Sequence, residues 1–277
     1  MRPHQWLKNM FVFAGLLFSE SWLNPDSGPL LHCVLLAFAA FCCASSLVYI
    51  LNDWRDRRSD ALHPTKCRRP LASGAVPLLW AAALAVLLLL AGAWLAWGSP
   101  VLLALLGVYV ALNLAYSGYL KQVPVVDVSI IASGFMLRLL AGTLAVGIAP
   151  SRWLLLTGIF VALFLAFSKR RAEMHHSVAA QRAVLTHYTP ALLDTFMAMT
   201  MTATLTTYSL FATSLEGQQQ HGERLLYTVP VVIFGMLRYT YQVHHGLGED
   251  VARDLLRDPW LVGAGGLWVA IFCSRWL

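Results

Sequence analysis

Four oxygen-bearing side chains, Asn52, Asp53, Asp56 and Asp60, fall within nine residues of the stretch "YILNDWRDRRSDALHPTKCRRPLASG", which runs from Tyr49 to Gly74. Spacings of four set Asn52, Asp56 and Asp60 along one face of a helix. Acids gathered this closely repel one another unless a cation joins them. Mg²⁺ suits an all-oxygen set, because it keeps some water and completes its shell with phosphate oxygens. The alternative is a charged loop whose acids pair with Arg55, Arg57 and Arg58. Lys66, Arg68 and Arg69 follow at once, bracketed by Pro64 and Pro70. Lysine is a point charge and arginine a two-pronged fork, and together they suit a phosphate. The alternative there is basic charge that only sets membrane topology. Metal ligands beside an anion clamp imply a phosphorylated substrate.

Further polar side chains recur at the ends of apolar runs. "RPHQWLKN" brings Lys8 to the start of the first, "AYSGYLKQVPVVD" holds Tyr116, Lys121 and Asp127, and "FSKRRAEM" ends another with Lys169, Arg170 and Arg171. Each alone is usually an anchor whose charge reaches the membrane surface; together they would ring one mouth with cations. Arg138 lies inside the apolar run "SGFMLRLLAGTLA". An arginine there is a functional candidate by default and requires a partner. A lipid phosphate reaching into the bundle is one such partner, and an internal acid such as Asp127 is the other. Gly134 and Gly142 would let neighbouring helices approach closely.

The elements that must position these groups are helices in lipid. The chain has 277 residues, 58% hydrophobic and only 12% charged, against roughly 25% charged in a soluble domain. Apolar segments near the length needed to cross a bilayer core are predicted at about 8–24, 30–52, 78–98, 100–120, 123–148, 152–169, 191–214, 225–243 and 259–276. The expected fold is all-α: one polytopic membrane domain over 1–277, a bundle of about nine transmembrane helices with a polar cytoplasmic cap. No cleaved signal peptide is expected, since Arg2, His4 and Lys8 sit where its apolar core would begin. Of the 20 basic residues, 15 fall in alternate loops, which places the N-terminus and the charged stretch on the cytoplasmic side of the inner membrane. The five cysteines are read as small packing residues, with no metal at Cys67 and His63. The pairs His175–His176 and His244–His245 are read as solvated. No nucleic-acid partner is expected, and the oligomeric state is left open, a homo-oligomer included.

Asn52-Asp53-x-x-Asp56-x-x-x-Asp60 at a cytoplasmic helix end resembles the UbiA superfamily of intramembrane prenyltransferases. Within it the chain is most similar to the decaprenyl-phosphate phosphoribosyltransferase branch, through "RPHQWLKN", the Tyr49–Gly74 stretch, "YSGYLKQVPVVDVSIIASGFMLRLLAG", "WLLLTGIFVALFLAFSKRRAEM" and "LLRDPW". Ordinary members resemble one another in a second Asp-rich motif, where this chain offers Tyr116, Lys121 and the single acid Asp127. The resemblance implies transfer of 5-phosphoribose from 5-phosphoribosyl 1-diphosphate (PRPP) to a polyprenyl phosphate, feeding arabinofuranosyl donors of the cell envelope. It implies Mg²⁺ on Asn52 and Asp56, with Asp53 and Asp60 supporting. It further implies the sugar donor on Lys8, Tyr49, Lys66, Arg68 and Lys121, and the lipid phosphate on Arg138, Lys169 and Arg170, with either of the last two open to the donor; Tyr116 and Asp127 are further substrate-binding candidates, and Asp53, Asp56, Asp60 and Lys121 are the catalytic ones. The same-fold alternative is an aromatic prenyltransferase of quinone or heme biosynthesis; a transporter is the alternative from another class.

Overall fold

The computed structural model describes residues 3–19, 28–62, 66–174, 183–248 and 251–274. The expectations for Arg2, His63, His175 and His176 lie outside these residues, as does the side chain of Lys66. Among the described residues every regular element is helical, and each predicted apolar segment is helical over most of its described length. The chain divides into two compact units, residues 1–120 with 137–149, and residues 121–136 with 150–277.

The first unit begins with a 3-10 helix, Pro3–Phe13, that continues as α1 (Ala14–Ser19). Next come α2 (Gly28–Arg55), α3 (Arg57–Ala61), α4 (Leu78–Leu95) and α5 (Pro100–Gly118). Lipid tails are as apolar as leucine, so helix pairing in a membrane depends on close packing rather than hydrophobic burial. The run Ala39–Ser46 of α2, "AAFCCASS", supplies small side chains for this, and Ala40, Phe41, Cys42, Ala44, Ser45 and Ser46 are buried there. By contrast α4 is leucine-rich and turns most of its surface outward. Exposed Trp80 stands at its first turn and exposed Trp94 and Trp97 at its other end, the positions tryptophan favours at the two membrane surfaces.

α6 (Val126–Ala141) starts in the second unit and ends in the first. The second unit continues with α7 (Arg152–Glu173), α8 (Pro190–Thr213), α9 (Leu215–His221), α10 (Arg224–His244), α11 (Val251–Arg257) and α12 (Pro259–Cys273). Its core joins Phe164 and Phe167 of α7 to Leu193 and Met197 of α8, Tyr239 and Val243 of α10 and Leu261 of α12. Buried Asp258 caps α12: its Oδ1 accepts from the amides of Trp260 and Leu261 at 2.9 and 3.0 Å. Its Oδ2 takes Arg238 at 2.7 Å and the Gln242 amide. That guanidinium, with the capping amides, holds the Asp258 carboxyl below the usual carboxylate range. α2, α4, α5, α7 and the segment Val126–Val146 are long and apolar enough to cross a bilayer. α8 and α10 have comparable length but carry more polar residues, seven threonines in α8 alone.

At Gly142 the N-terminal segment passes backbone against backbone. A Cβ there would lie 1.6 Å from the Val12 carbonyl oxygen, and one on Gly15 would lie 2.2 Å from Thr143 Cγ2. The expected outcome of Gly142→Ala is loss of about 3 kcal/mol, the upper range for overpacking, read as a lower unfolding temperature in detergent. Gly107→Ala, where a Cβ meets nothing within 4 Å, serves as the control and should not destabilise. Equal melting of the Gly142 variant and the parent chain would refute the close crossing.

Candidate active site

The Asp-rich stretch is built by the end of α2. Asp56 donates its amide to Asn52 O at 2.9 Å, and Asp60 donates to Asp56 O at 2.8 Å. The i to i−4 pattern therefore runs through the break between α2 and α3, and Asn52, Asp56 and Asp60 stand on successive turns as their spacing predicts. Tyr49 lies on the same side of α2, one turn before Asp53. The C-terminus of α5 is bound here too. Ser117 donates to Asn52 Oδ1 at 2.5 Å and Arg55 donates to the Gly118 carbonyl at 3.3 Å. Tyr116 is thereby carried to this end of the unit.

The acids' cation is not one of the three arginines interleaved with them. Arg57 donates to the Trp54 carbonyl and lies over the Trp54 ring, and Arg58 is exposed. Arg69 Nη1 instead lies 2.6 Å from Asp60 Oδ2 and 3.2 Å from Asp53 Oδ1. Asp60 is buried, whereas the neighbouring Arg68 is exposed and open to an anion. Among the described residues no three Asp, Glu, His or Cys side chains converge as a ready metal cage. The donor chemistry nonetheless fits Mg²⁺, which binds through one or two carboxylates plus water and phosphate oxygens rather than through an all-protein cage. Asn52 and Asp56 would supply the protein oxygens.

The N-terminal segment lies along α2. Trp6 Nε1 donates to Ser46 Oγ at 3.1 Å, and Asn9 Nδ2 donates to Ser45 Oγ at 3.3 Å and Cys42 Sγ at 3.2 Å. Asn9 Oδ1 accepts from Arg138 Nε at 2.7 Å. Arg138 also donates to the Tyr109 hydroxyl at 3.1 Å and sits over the Tyr109 and Phe41 rings. Arg138 is buried, and its contacts include an amide, a phenol and two aromatic faces that attract a cation. Lys8 is adjacent to Asn9 and is carried with it.

In the second unit Lys121 lies on a single 3-10 turn, Leu120–Gln122, and α6 starts just beyond it. Asp127, on the first turn of α6, has no exposed surface, and neither has Arg170. Arg170 Nε donates to Asp127 Oδ2 at 2.6 Å, and Nη1 donates to Glu173 at 2.7 Å. Tyr188 donates to Asp127 Oδ1 at 3.0 Å and accepts the Val125 amide at 2.5 Å. Val125 has φ 66°, a left-handed conformation that a β-branched residue adopts only under outside constraint. Tyr188 supplies that constraint. Here Asp127 and Arg170 hold each other, so Arg170 acts on the loop through Asp127, while Lys169 stays partly exposed. Arg171 pairs with Asp194 at 2.8 Å, and His244, at the last turn of α10, lies 3.2 Å from the same carboxylate. His244 and His245 are exposed, as read from the sequence; what differs is that α10 extends through His244, which puts it beside Asp194 of α8 in place of a loop.

Residue types alone did not single out Ser117, Tyr188 or Asn9. Tyr188 comes from a segment 61 residues beyond Asp127, with no charge or motif to mark it.

Two measurements check this geometry. Arg170→Met strands the buried Asp127 carboxylate, a change that typically costs 3–5 kcal/mol; Asp127→Asn with Arg170→Met should recover most of the lost unfolding temperature. Burial, aided by the Asp127 charge, pushes the Tyr188 phenol from 10 up to about 12. The unfolded chain then releases this proton before the folded one does, so stability holds up to pH 10 and falls from there towards pH 12. Alkaline melting curves should lose that component in Tyr188→Phe.

The UbiA prenyltransferase family model matches residues 10–255. The chain is 36% identical over 281 residues to the decaprenyl-phosphate phosphoribosyltransferase of Corynebacterium glutamicum, covering 99% of this chain and 83% of the relative. It is 36% identical to the Mycobacterium tuberculosis protein of the same name, covering 98% of this chain and 90% of that one. Among solved structures, a UbiA homolog from Archaeoglobus fulgidus bound to DMAPP and Mg²⁺ superposes with a TM-score of 0.72 at 18% identity, covering 98% of this chain and 94% of the other. A family match across both units, with relatives that similar along nearly the whole chain, establishes that this multi-pass membrane protein belongs to the UbiA prenyltransferase family of transferases.

Proposed function

We propose that the protein transfers 5-phosphoribose from PRPP to a polyprenyl phosphate, with Mg²⁺, at the cytoplasmic face of the inner membrane. The C1–O bond to the diphosphate breaks and pyrophosphate leaves with its electron pair. A new C1–O bond forms to an oxygen of the lipid phosphate. That acceptor is already an anion, so no strong general base is needed. Mg²⁺ on Asn52 and Asp56 would supply charge neutralisation for the departing pyrophosphate. Lys8, Tyr49, Lys66, Arg68, Tyr116 and Lys121 bind the donor, whose phosphates at both ends require cations as well as metal. Arg138 and Lys169 serve the lipid phosphate. Asp127 and Arg170 fix the loop that carries Lys121. The product is a precursor of arabinofuranosyl donors.

One observation carries the choice of donor. The region that resembles the second Asp-rich motif of ordinary prenyltransferases has one acid, Asp127, and both its oxygens are engaged, by Tyr188 and by Arg170. A second metal finds no uncommitted carboxylate oxygen on Asp127, and the region carries a lysine, Lys121, suited to a phosphate. The names of the near full-length relatives support the same reading.

Purified protein given radiolabelled PRPP, polyprenyl phosphate and Mg²⁺ should form a labelled lipid and release pyrophosphate. Asp56→Ala should cut the rate by about 10²–10³, the usual effect of losing one strong electrostatic contact to the leaving group, with unfolding temperature unchanged. Turnover of an isoprenyl diphosphate with 4-hydroxybenzoate in place of PRPP would overturn the proposal.

A further inference from the structure

Arg69 bridges two acids of the metal segment. Its Nη1 meets Asp60 Oδ2 at 2.6 Å and Asp53 Oδ1 at 3.2 Å, joining the end of α2 to α3. Arg69 thus sets positive charge between two neighbouring carboxylates, as a divalent ion does. Unlike Asp60, Arg69 is not sealed in. About a quarter of its side chain is exposed (27%), so it has room to leave. It is also the last cation of the clamp that Lys66 and Arg68 begin, and a guanidinium prefers a phosphate fork as readily as a carboxylate one.

We propose that Arg69 is a built-in counter-ion that competes with the divalent metal for the carboxylates of this segment. Without donor it occupies Asp53 Oδ1 and Asp60 Oδ2 and keeps metal binding weak. Donor phosphates draw it off, and the freed carboxylates then strengthen the metal site. Metal and donor binding are coupled through this one side chain, and the coupling is reciprocal. The inference rests on the proposed metal role of the Asn52–Asp60 segment but not on the identity of the donor.

The proposal makes a prediction of unusual sign, because removing a residue from the site should improve metal binding. Mn²⁺, which accepts the same oxygen ligands, can be titrated into detergent-purified protein without any donor and followed by its paramagnetic resonance signal. Arg69→Gln should bind Mn²⁺ about tenfold more tightly than the parent chain, the equivalent of one charge-assisted contact no longer competing. Arg69→Lys keeps the charge on a shorter side chain, which weakens the approach of its single nitrogen to both acids, and should fall between the two; it decides the matter alone if the glutamine variant does not fold. Unchanged or weaker Mn²⁺ binding in both variants would show that Arg69 only clamps α2 to α3, and the inference is then wrong while the metal segment stands. Absence of Mn²⁺ binding in parent and variants alike would overturn the metal role as well.

Discussion

A buried charge in a membrane protein needs a partner, and in lipid the partner must come from another helix or from a ligand. Most of the polar architecture described here answers that requirement. Arg170 has no exposed surface and is enclosed by Asp127 and Glu173. Asp127 in turn draws in Tyr188, and Tyr188 holds Val125 in a backbone conformation it would not otherwise keep. One ion pair thereby shapes the loop between α5 and α6, and with it the placement of Lys121. Pairs of this kind gain little net stability over a well-packed apolar substitute, so their use here is to hold a particular geometry.

Close packing makes the equivalent contribution in the first unit. Gly142 lets the Val12 backbone touch the chain just beyond the end of α6, where no side chain would fit. Asn9 then reaches Arg138 on one side and α2 on the other. Small residues along α2 permit that approach, and the N-terminal segment carries Lys8 as a consequence. Asn9, Tyr109 and the Phe41 ring are among the groups that orient the buried Arg138 guanidinium.

The cations of the proposed site fall into two groups. Arg170 and Arg69 are held by acids, whereas Arg68 and Lys169 keep exposed surface. The proposed pentosyl transfer, with anions on both donor and acceptor, has a use for both. In the proposed reaction the acid-held cations would fix the loops, and those with exposed surface would meet the anionic substrates. Preorganised charge of this sort is usually the largest contribution to such a reaction.

Local physics made much of this legible in the sequence. Runs of about 20 apolar residues specify helices because lipid leaves the backbone no other way to satisfy its hydrogen bonds, and each such run is helical over most of its described part. Spacings of four placed Asn52, Asp56 and Asp60 on successive turns for the same local reason. The blocks around them also identified the family. Choice of partner was not legible. Arg55, Arg57 and Arg58 are nearest in sequence to the acids, yet Arg69 takes Asp53 and Asp60. Asp127, an alternative partner for Arg138, belongs to Arg170, 43 residues on, while Arg138 reaches Asn9, 129 residues back. An arginine side chain is long, and several acids or amides lie within its potential reach. Which one it meets depends on which helices pack together and how closely, and that is decided by glycine and alanine contacts distributed over the whole chain.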